Sequence, residues 1–299
     1  MFYFLNRFKD IFPQTIIKIK KWFQNLGFES IPQENIKNQF YYLKKIIDTD
    51  ELHKNRLDEK NEFLRYADVR TYKDNKVEIQ SNHNYINASW IHLPLEKHFI
   101  ATQGPKESTI EDFWEMCYTY DVRVIVMICK LQENNKEKCA NYWQANLEKY
   151  QIIQINGDLT LEEGLIGREF DIKNLKDNKY KKVFQIQLYT WDDHSAPITN
   201  YNKIIKMVRF VDKYRNDFPV VVHCSAGVGR TGTFISMYNL YHEIIEQIKD
   251  PNVQEIKFSI MNLVRKLKEM RMLLVENEIQ YILLYQFVNQ FLIDYNKAV

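Results

Sequence analysis

The run His223-Cys224-Ser225-Ala226-Gly227-Val228-Gly229-Arg230-Thr231-Gly232 holds residue types suited to a cysteine that attacks a phosphate ester. A thiolate is the nucleophile in such chemistry. Arg230 follows Cys224 by six positions, and its planar fork can bind two phosphate oxygens and stay with them as charge shifts. Gly227 and Gly229 let the backbone curl, so that the N–H groups from Ser225 through Ala226 and Val228 turn inward as an anion nest that no side chain blocks. Thr231 offers a hydroxyl to the departing thiolate, and His223 can tune or position it through a hydrogen bond. A bare Cys-x5-Arg spacing arises by chance in many chains, and an isolated buried Cys is usually an inert small hydrophobe. The His before it, the two glycines and the Thr-Gly after it single this stretch out.

These groups need a strand and a helix to aim them. Pro219-Val220-Val221-Val222 reads as a buried strand, and Phe234 to Ile248 has helical apolar spacing. The nucleophile therefore falls at a strand-to-helix turn, where unpaired N–H groups and the helix dipole favour a thiolate and draw in an anion. Further strands are expected at Lys76 to Ile79, Tyr85 to Ala88, Phe99 to Thr102, Val122 to Cys129 and Val183 to Tyr189. Helical periodicity marks Asn38 to Ile47, Tyr201 to Tyr214, Gly232 to Lys249, Glu255 to Met270 and Glu276 to Asn296. Strands come early and helices mostly late, which predicts an α/β protein with a twisted mixed β-sheet flanked by helices rather than an alternating barrel.

The chain has 299 residues with 45% hydrophobic content, enough for one large domain with an extension. Its 41 basic and 39 acidic residues give a formal charge of +2, so no strong field points to nucleic acid as a partner. The four cysteines, Cys117, Cys129, Cys139 and Cys224, show neither metal-site spacing nor the density of a disulfide scaffold. No metal or other cofactor is expected, and a reducing, cytoplasmic setting fits. No run of about 18 apolar residues predicts a transmembrane helix. Met1 to Phe28 mixes bulky apolar residues with Arg7, Lys9, Lys18, Lys20 and Lys21. It is expected to be a helical extension, residues 1–30, packed on a catalytic domain of residues 31–299; the other reading is a basic amphipathic segment that touches an anionic membrane surface or serves in targeting.

The cysteine loop resembles that of the cysteine-dependent protein tyrosine phosphatases, and other segments extend the resemblance from about Asn35 to Asn296. Asn84-Tyr85-Ile86-Asn87-Ala88-Ser89 is similar to the family's Asp-Tyr-Ile-Asn-Ala-Ser strand. Thr102-Gln103-Gly104-Pro105, Phe113-Trp114-Glu115-Met116 and Lys138-Cys139-Ala140-Asn141-Tyr142-Trp143 follow in the family's order. The resemblance implies the protein tyrosine phosphatase fold and metal-free hydrolysis of phosphotyrosine in proteins. Cys224 would be the nucleophile and Arg230 would bind the phosphoryl oxygens. Trp191-Asp192-Asp193-His194-Ser195-Ala196-Pro197 would be the loop of the general acid, read in the family as Trp-Pro-Asp-x-Gly-x-Pro. That register makes Asp193 the acid, with Asp192 a competitor in place of the proline and Ser195 in place of the glycine. Tyr66 would stack on the substrate ring, and Asp68 would accept from the substrate backbone. Together they build a deep pocket that favours phosphotyrosine over the shorter phosphoserine. Lys138 would approach the acid and Glu133 would orient Arg230; the other reading makes both ordinary surface charges.

Arg271 to Tyr281 aligns with the family segment that positions the hydrolytic water. Gln280 matches its second glutamine, but Glu276 replaces the first, so the second chemical step is expected to be perturbed. Leu273 stands where many members have Gly and is expected to narrow the pocket mouth. Two alternatives to a tyrosine-specific enzyme follow: a pseudophosphatase that binds phosphotyrosine and turns over slowly, and a phosphatase of broader specificity. The segments around Tyr66 and Tyr85 oppose the latter, since compact dual-specificity relatives lack them. The expected partners are tyrosine-phosphorylated proteins, and a monomer is expected.

Overall fold

The computed structural model describes residues 17–20, 33–57, 62–81, 84–94, 97–191 and 201–298. Its centre is a sheet in the order β2, β3, β11, β4, β10, β9, β7, with β8 also on β9. The strands are β2 (Ala88–Leu93), β3 (Lys97–Thr102), β4 (Val124–Met127), β7 (Tyr150–Gln154), β8 (Leu159–Glu162), β9 (Leu165–Asn174), β10 (Tyr180–Leu188) and β11 (Val220–His223). The neighbours β3, β11, β4 and β10 run parallel, whereas β2, β7, β8 and β9 pair antiparallel at the two sides. A two-stranded hairpin of β5 (Gln132–Glu133) and β6 (Lys136–Glu137) stands apart.

The parallel strands are buried on both faces, which explains their near-continuous apolar sequences. Val220 and Val222 of β11 point into one core, and Val221 points into the other. The larger core lies under α1 (Gln33–Ile47), α4 (Asn202–Arg215), α5 (Gly229–Lys249), α6 (Ile260–Met270) and α7 (Glu278–Ala298). The smaller gathers α3 (Ile110–Thr119) with Tyr142 and Trp143; α2 (Asp50–Lys54) is a short exposed piece capped by Thr49. Among the described residues no helix is long and apolar enough to cross a membrane.

The expected mixed sheet with flanking helices is present, and four local expectations are corrected. The strand expected at Tyr85 to Ala88 starts instead at Ala88, and Lys76 makes only an isolated bridge to Ser89. The periodic stretch Glu255 to Met270 divides into β12 (Glu255–Phe258) and α6, because Glu-Ile-Lys-Phe alternates with period two and Ser259 caps the helix by accepting from the Asn262 N–H. The partner of β12 is β1 (Ile17–Lys20), which forms a strand inside the segment expected to be helical. Ile-Lys-Ile-Lys also alternates, and the register pairs Ile17 with Phe258, Ile19 with Ile256 and Lys20 with Glu255. The rest of residues 1–32 lies outside the described residues.

Candidate active site

The C-terminal ends of the parallel strands converge on one cleft, the place where open α/β sheets offer room for a ligand. The Cys224 loop follows β11 and runs into α5, so the nucleophile occupies the expected strand-to-helix turn. The cleft, about 280 Å³, is lined by Tyr66, Asp68, Lys138, Cys224, Arg230 and Glu276, with Ser225, Ala226, Gly229 and Leu273 completing the wall.

Backbone conformation and close approach bear on the loop's two glycines. Gly227 has φ +71°, and a Cβ there would lie 2.1 Å from the Thr102 carbonyl oxygen. At Gly229 a Cβ would lie 2.7 Å from Gln280 Nε2 and 2.8 Å from Glu276 Oε2, so a larger residue there would displace the ends of these two side chains. Val228, between them, is fully buried and seats the loop. Arg271 then grips the loop from behind. Its Nε donates to the Gly227 carbonyl at 2.9 Å and its Nη2 to the Ala226 carbonyl at 3.2 Å, while Asn87 Oδ1 accepts from Nη2 and Ser89 Oγ from Nη1. Carbonyls turned outward to Arg271 leave the N–H groups on the other side of trans peptides free to face the cleft. Asn87 is thus a buried structural group, and the sequon it forms with Ser89 is inaccessible in the folded chain.

Arg230 is fixed by a fork-to-fork pair. Nη1 donates to Glu133 Oε1 at 2.7 Å and Nη2 to Oε2 at 3.2 Å; the two side chains are 1% and 6% exposed. Nη1 also donates to the Trp191 carbonyl at 2.9 Å. Glu133 reaches this position through the β5–β6 hairpin, whose two-residue turn uses Asn134 and Asn135 at φ +51° and +59°. The surface-charge reading of Glu133 is thereby overturned, since its carboxylate is buried against the guanidinium.

Tyr66 forms a wall of the cleft. Ser225 Oγ donates to the Lys138 carbonyl at 3.0 Å, so its one proton is committed and the Tyr66 hydroxyl, also 3.0 Å away, is the donor to Ser225. Asp68 stands exposed at the rim. Thr231 is fully buried, and its Oγ1 has no hydrogen-bond partner among the described residues. Gln280 Oε1 accepts from the Glu276 N–H at 2.9 Å. Asp192 and Asp193, with the rest of 192–200, lie outside the described residues; the strand that leads to them, β10, ends at Leu188, and Trp191 is buried.

His223 is fully buried and sits behind the nucleophile. Its Nδ1 lies 3.1 Å from the Cys224 carbonyl and its Nε2 lies 2.9 Å from the Tyr142 hydroxyl. Burial holds Tyr142 well above the usual phenol range, so it stays a neutral phenol. Two contributors were hidden at the level of sequence. Arg271 was legible only as part of a segment, and the polar groups behind Tyr142 meet only through sheet register. Among the described residues no cluster of His, Cys, Asp and Glu could hold a metal ion.

A family model described as protein-tyrosine phosphatase matches residues 60–290. Tyrosine-protein phosphatase 2 of Dictyostelium discoideum is 36% identical over 210 residues, covering 69% of this chain and 54% of that protein. The human receptor-type tyrosine-protein phosphatase C is 36% identical over 247 residues, or 78% of this chain and 18% of that one. The chain thus spans about half or less of these relatives. The solved catalytic domain of human protein tyrosine phosphatase non-receptor type 18 superposes with a TM-score of 0.77 at 26% identity, over 86% of this chain and 96% of that one. The same phosphatase in complex with HER2 phosphopeptides gives 0.75 at 26%, over 86% and 99%. With its cysteine loop, buried arginine clamp and matched framework, this chain belongs to the protein-tyrosine phosphatase family.

Proposed function

We propose that this chain hydrolyses phosphotyrosine in proteins through a phosphocysteine intermediate. The observation that carries the reading is the joining, in one cleft, of Cys224 in a backbone cradle, Arg230 locked by Glu133, and the aromatic wall of Tyr66. The Cys224 thiolate attacks phosphorus, the bond from phosphorus to the tyrosyl oxygen breaks, and Asp193 gives that oxygen a proton. Arg230 and the loop N–H groups hold the equatorial oxygens as charge builds. Water then attacks phosphorus, its proton passes to Asp193, and the sulfur–phosphorus bond breaks; the buried Thr231 hydroxyl donates to the returning thiolate. Lys138, Gln280 and Glu276 bound the site at which that water arrives. Asp68 accepts from the backbone of the bound peptide.

The natural substrates are tyrosine-phosphorylated proteins met in the cytoplasm. Membrane contact through basic residues of the N-terminal extension is a secondary proposal, and the extension is then tied to the domain through β1. Slow turnover is the second reading, and one observation favours it: Glu276 sets a carboxylate against Gly229, beside the phosphate cradle. Phosphate release from tyrosine- and serine-phosphorylated peptides, with Cys224→Ser as blank, tests the proposal. Release from the tyrosine peptide alone is expected. No release above the blank overturns the enzyme, and equal release from both peptides overturns tyrosine specificity.

A further inference from the structure

Arg168 lies on β9, its side chain 6% exposed, and in the sheet register it stands directly opposite Gln185 of β10. Its Nε and Nη2 donate to the two carboxylate oxygens of Asp158 at 2.7 and 2.6 Å, and its guanidinium lies 4.6 Å from the centre of the Trp143 ring. Its Nη1 donates to Gln185 Oε1 at 2.6 Å and to Gln187 Oε1 at 2.8 Å. A guanidinium has donors only, so these contacts decide which way both amides face. Gln187 Nε2 is thereby aimed at the Cys129 carbonyl, 2.8 Å away, and Gln185 Nε2 at the Tyr142 hydroxyl, 2.5 Å away.

The direction propagates. Because the Tyr142 oxygen accepts from Gln185, its own proton is available to His223 Nε2. The imidazole is fully buried, and with the Tyr142 proton aimed at Nε2 its own donor is Nδ1. The Nδ1 donor meets the Cys224 carbonyl, an obligate acceptor, at 3.1 Å. In a trans peptide the C=O and the next N–H point opposite ways, so a Cys224 carbonyl held back against His223 turns the Ser225 N–H toward the thiol side.

We propose that Arg168 is a positioning residue for catalysis: through Gln185, Tyr142 and His223 it fixes the peptide plane that follows Cys224 and so supports the thiolate. Without Arg168 the Gln185 amide is free to turn its oxygen to Tyr142, which then donates to Gln185. His223 must carry its proton on Nε2, and its Nδ1 lone pair faces the Cys224 carbonyl. The other titratable groups packed on this line are Cys117, Cys139 and Cys129 around Tyr142, the Cys129 thiol also contacting His223, and Asp158 at the surface end. Burial pushes the Cys117 and Cys129 thiols well above the ordinary range, so they stay protonated near neutral pH.

The proposal rests on the catalytic role given to Cys224, and its test needs no turnover. The rate of alkylation by iodoacetamide is followed against pH in the full chain, with the Cys224→Ser variant subtracting reaction at other cysteines. Arg168→Met is expected to move the midpoint of the Cys224 curve up by about one pH unit, roughly a tenfold loss of reactivity on its acid side. Arg168→Lys, which also presents donors only, is expected to stay close to the parent. Gln185→Leu keeps the ion pair with Asp158, removes the link to Tyr142, and is expected to shift the midpoint in the same direction; it serves where Arg168→Met does not fold. A folded Arg168→Met or Gln185→Leu protein whose curve superposes on the parent or moves down overturns the proposal. Loss of phosphatase activity with a normal alkylation curve in the parent would speak against the proposed reaction instead.

Discussion

Glu133 is the residue whose replacement tests the arginine clamp. Glu133→Gln keeps the volume, removes the charge and halves the carboxylate's two acceptor oxygens, leaving the Arg230 guanidinium, 1% exposed, without its counter-ion. The new amide also turns a donor toward one of the two arginine nitrogens, so the fork-to-fork geometry is lost. Removing one partner from a buried pair costs about 3–5 kcal/mol, because the surviving charge stays desolvated. In a domain of this size that corresponds to a fall in melting temperature of about 6 °C or more. The catalytic loss is expected in kcat more than in KM, because Arg230 gains its largest interaction as charge moves onto the equatorial oxygens. A tenfold drop in kcat requires only about 1.4 kcal/mol of misplacement, so a decrease of at least that size is expected. Thermal unfolding and steady-state kinetics on one phosphotyrosine peptide read both effects. A variant that melts within about 1 °C of the parent and keeps half its kcat or more would refute the clamp.

The wall opposite the nucleophile makes two more predictions. Leu273 and Val275 have φ +60° and +58°, a region that favours glycine, which gives a physical reason for the glycine that many family members carry at the first of them. Leu273→Gly is therefore expected to be more stable than Leu273→Ala by about 1 kcal/mol in urea titrations, and to widen access to the cleft; equal stability would contradict the strain. Lys268 is buried beneath this turn and donates to the Val275 carbonyl at 2.8 Å; burial, with Lys44 nearby, lowers its ammonium to about 7 against an ordinary 10.5. Below about 7 both folded and unfolded chains carry the proton, and the folded chain bears the full burial penalty. Between about 7 and 10.5 only the unfolded chain holds it, so stability contributed at this site rises with pH. The stability of the parent relative to Lys268→Met should increase by up to about 3 kcal/mol from about pH 6.5 to 9.5, and a constant difference would exclude the effect.

How much of this was legible in the sequence depended on the range of the information needed. The cysteine loop, its strand and its helix were readable because Val220 to Val222, the glycines and Arg230 carry their meaning within a dozen positions. The mixed sheet followed from the order of apolar runs. Glu133 required a two-asparagine turn to bring it under Arg230, and only the resemblance pointed there. The strands β7 and β8 are hard to read because much of their length is polar or half-exposed, and β9 because polar Arg168 stands among its buried positions. Glu255 to Phe258 reads as part of a helix because its Ile and Phe continue the spacing of the helix that follows. Arg168 and Gln185 could not be joined from sequence at all. Each reads as a polar residue on a strand, and only the antiparallel register sets them face to face.

The account as a whole stands on a covalent step at Cys224. Its most direct test is rapid quenching of the enzyme in acid during turnover of a phosphotyrosine peptide, followed by mass spectrometry of the peptide that spans Cys224. The result expected is one phosphoryl group on Cys224 in the parent and none in Cys224→Ser. Phosphate release at an undiminished rate by Cys224→Ser, with no phosphoryl adduct at this position in the parent, would contradict it.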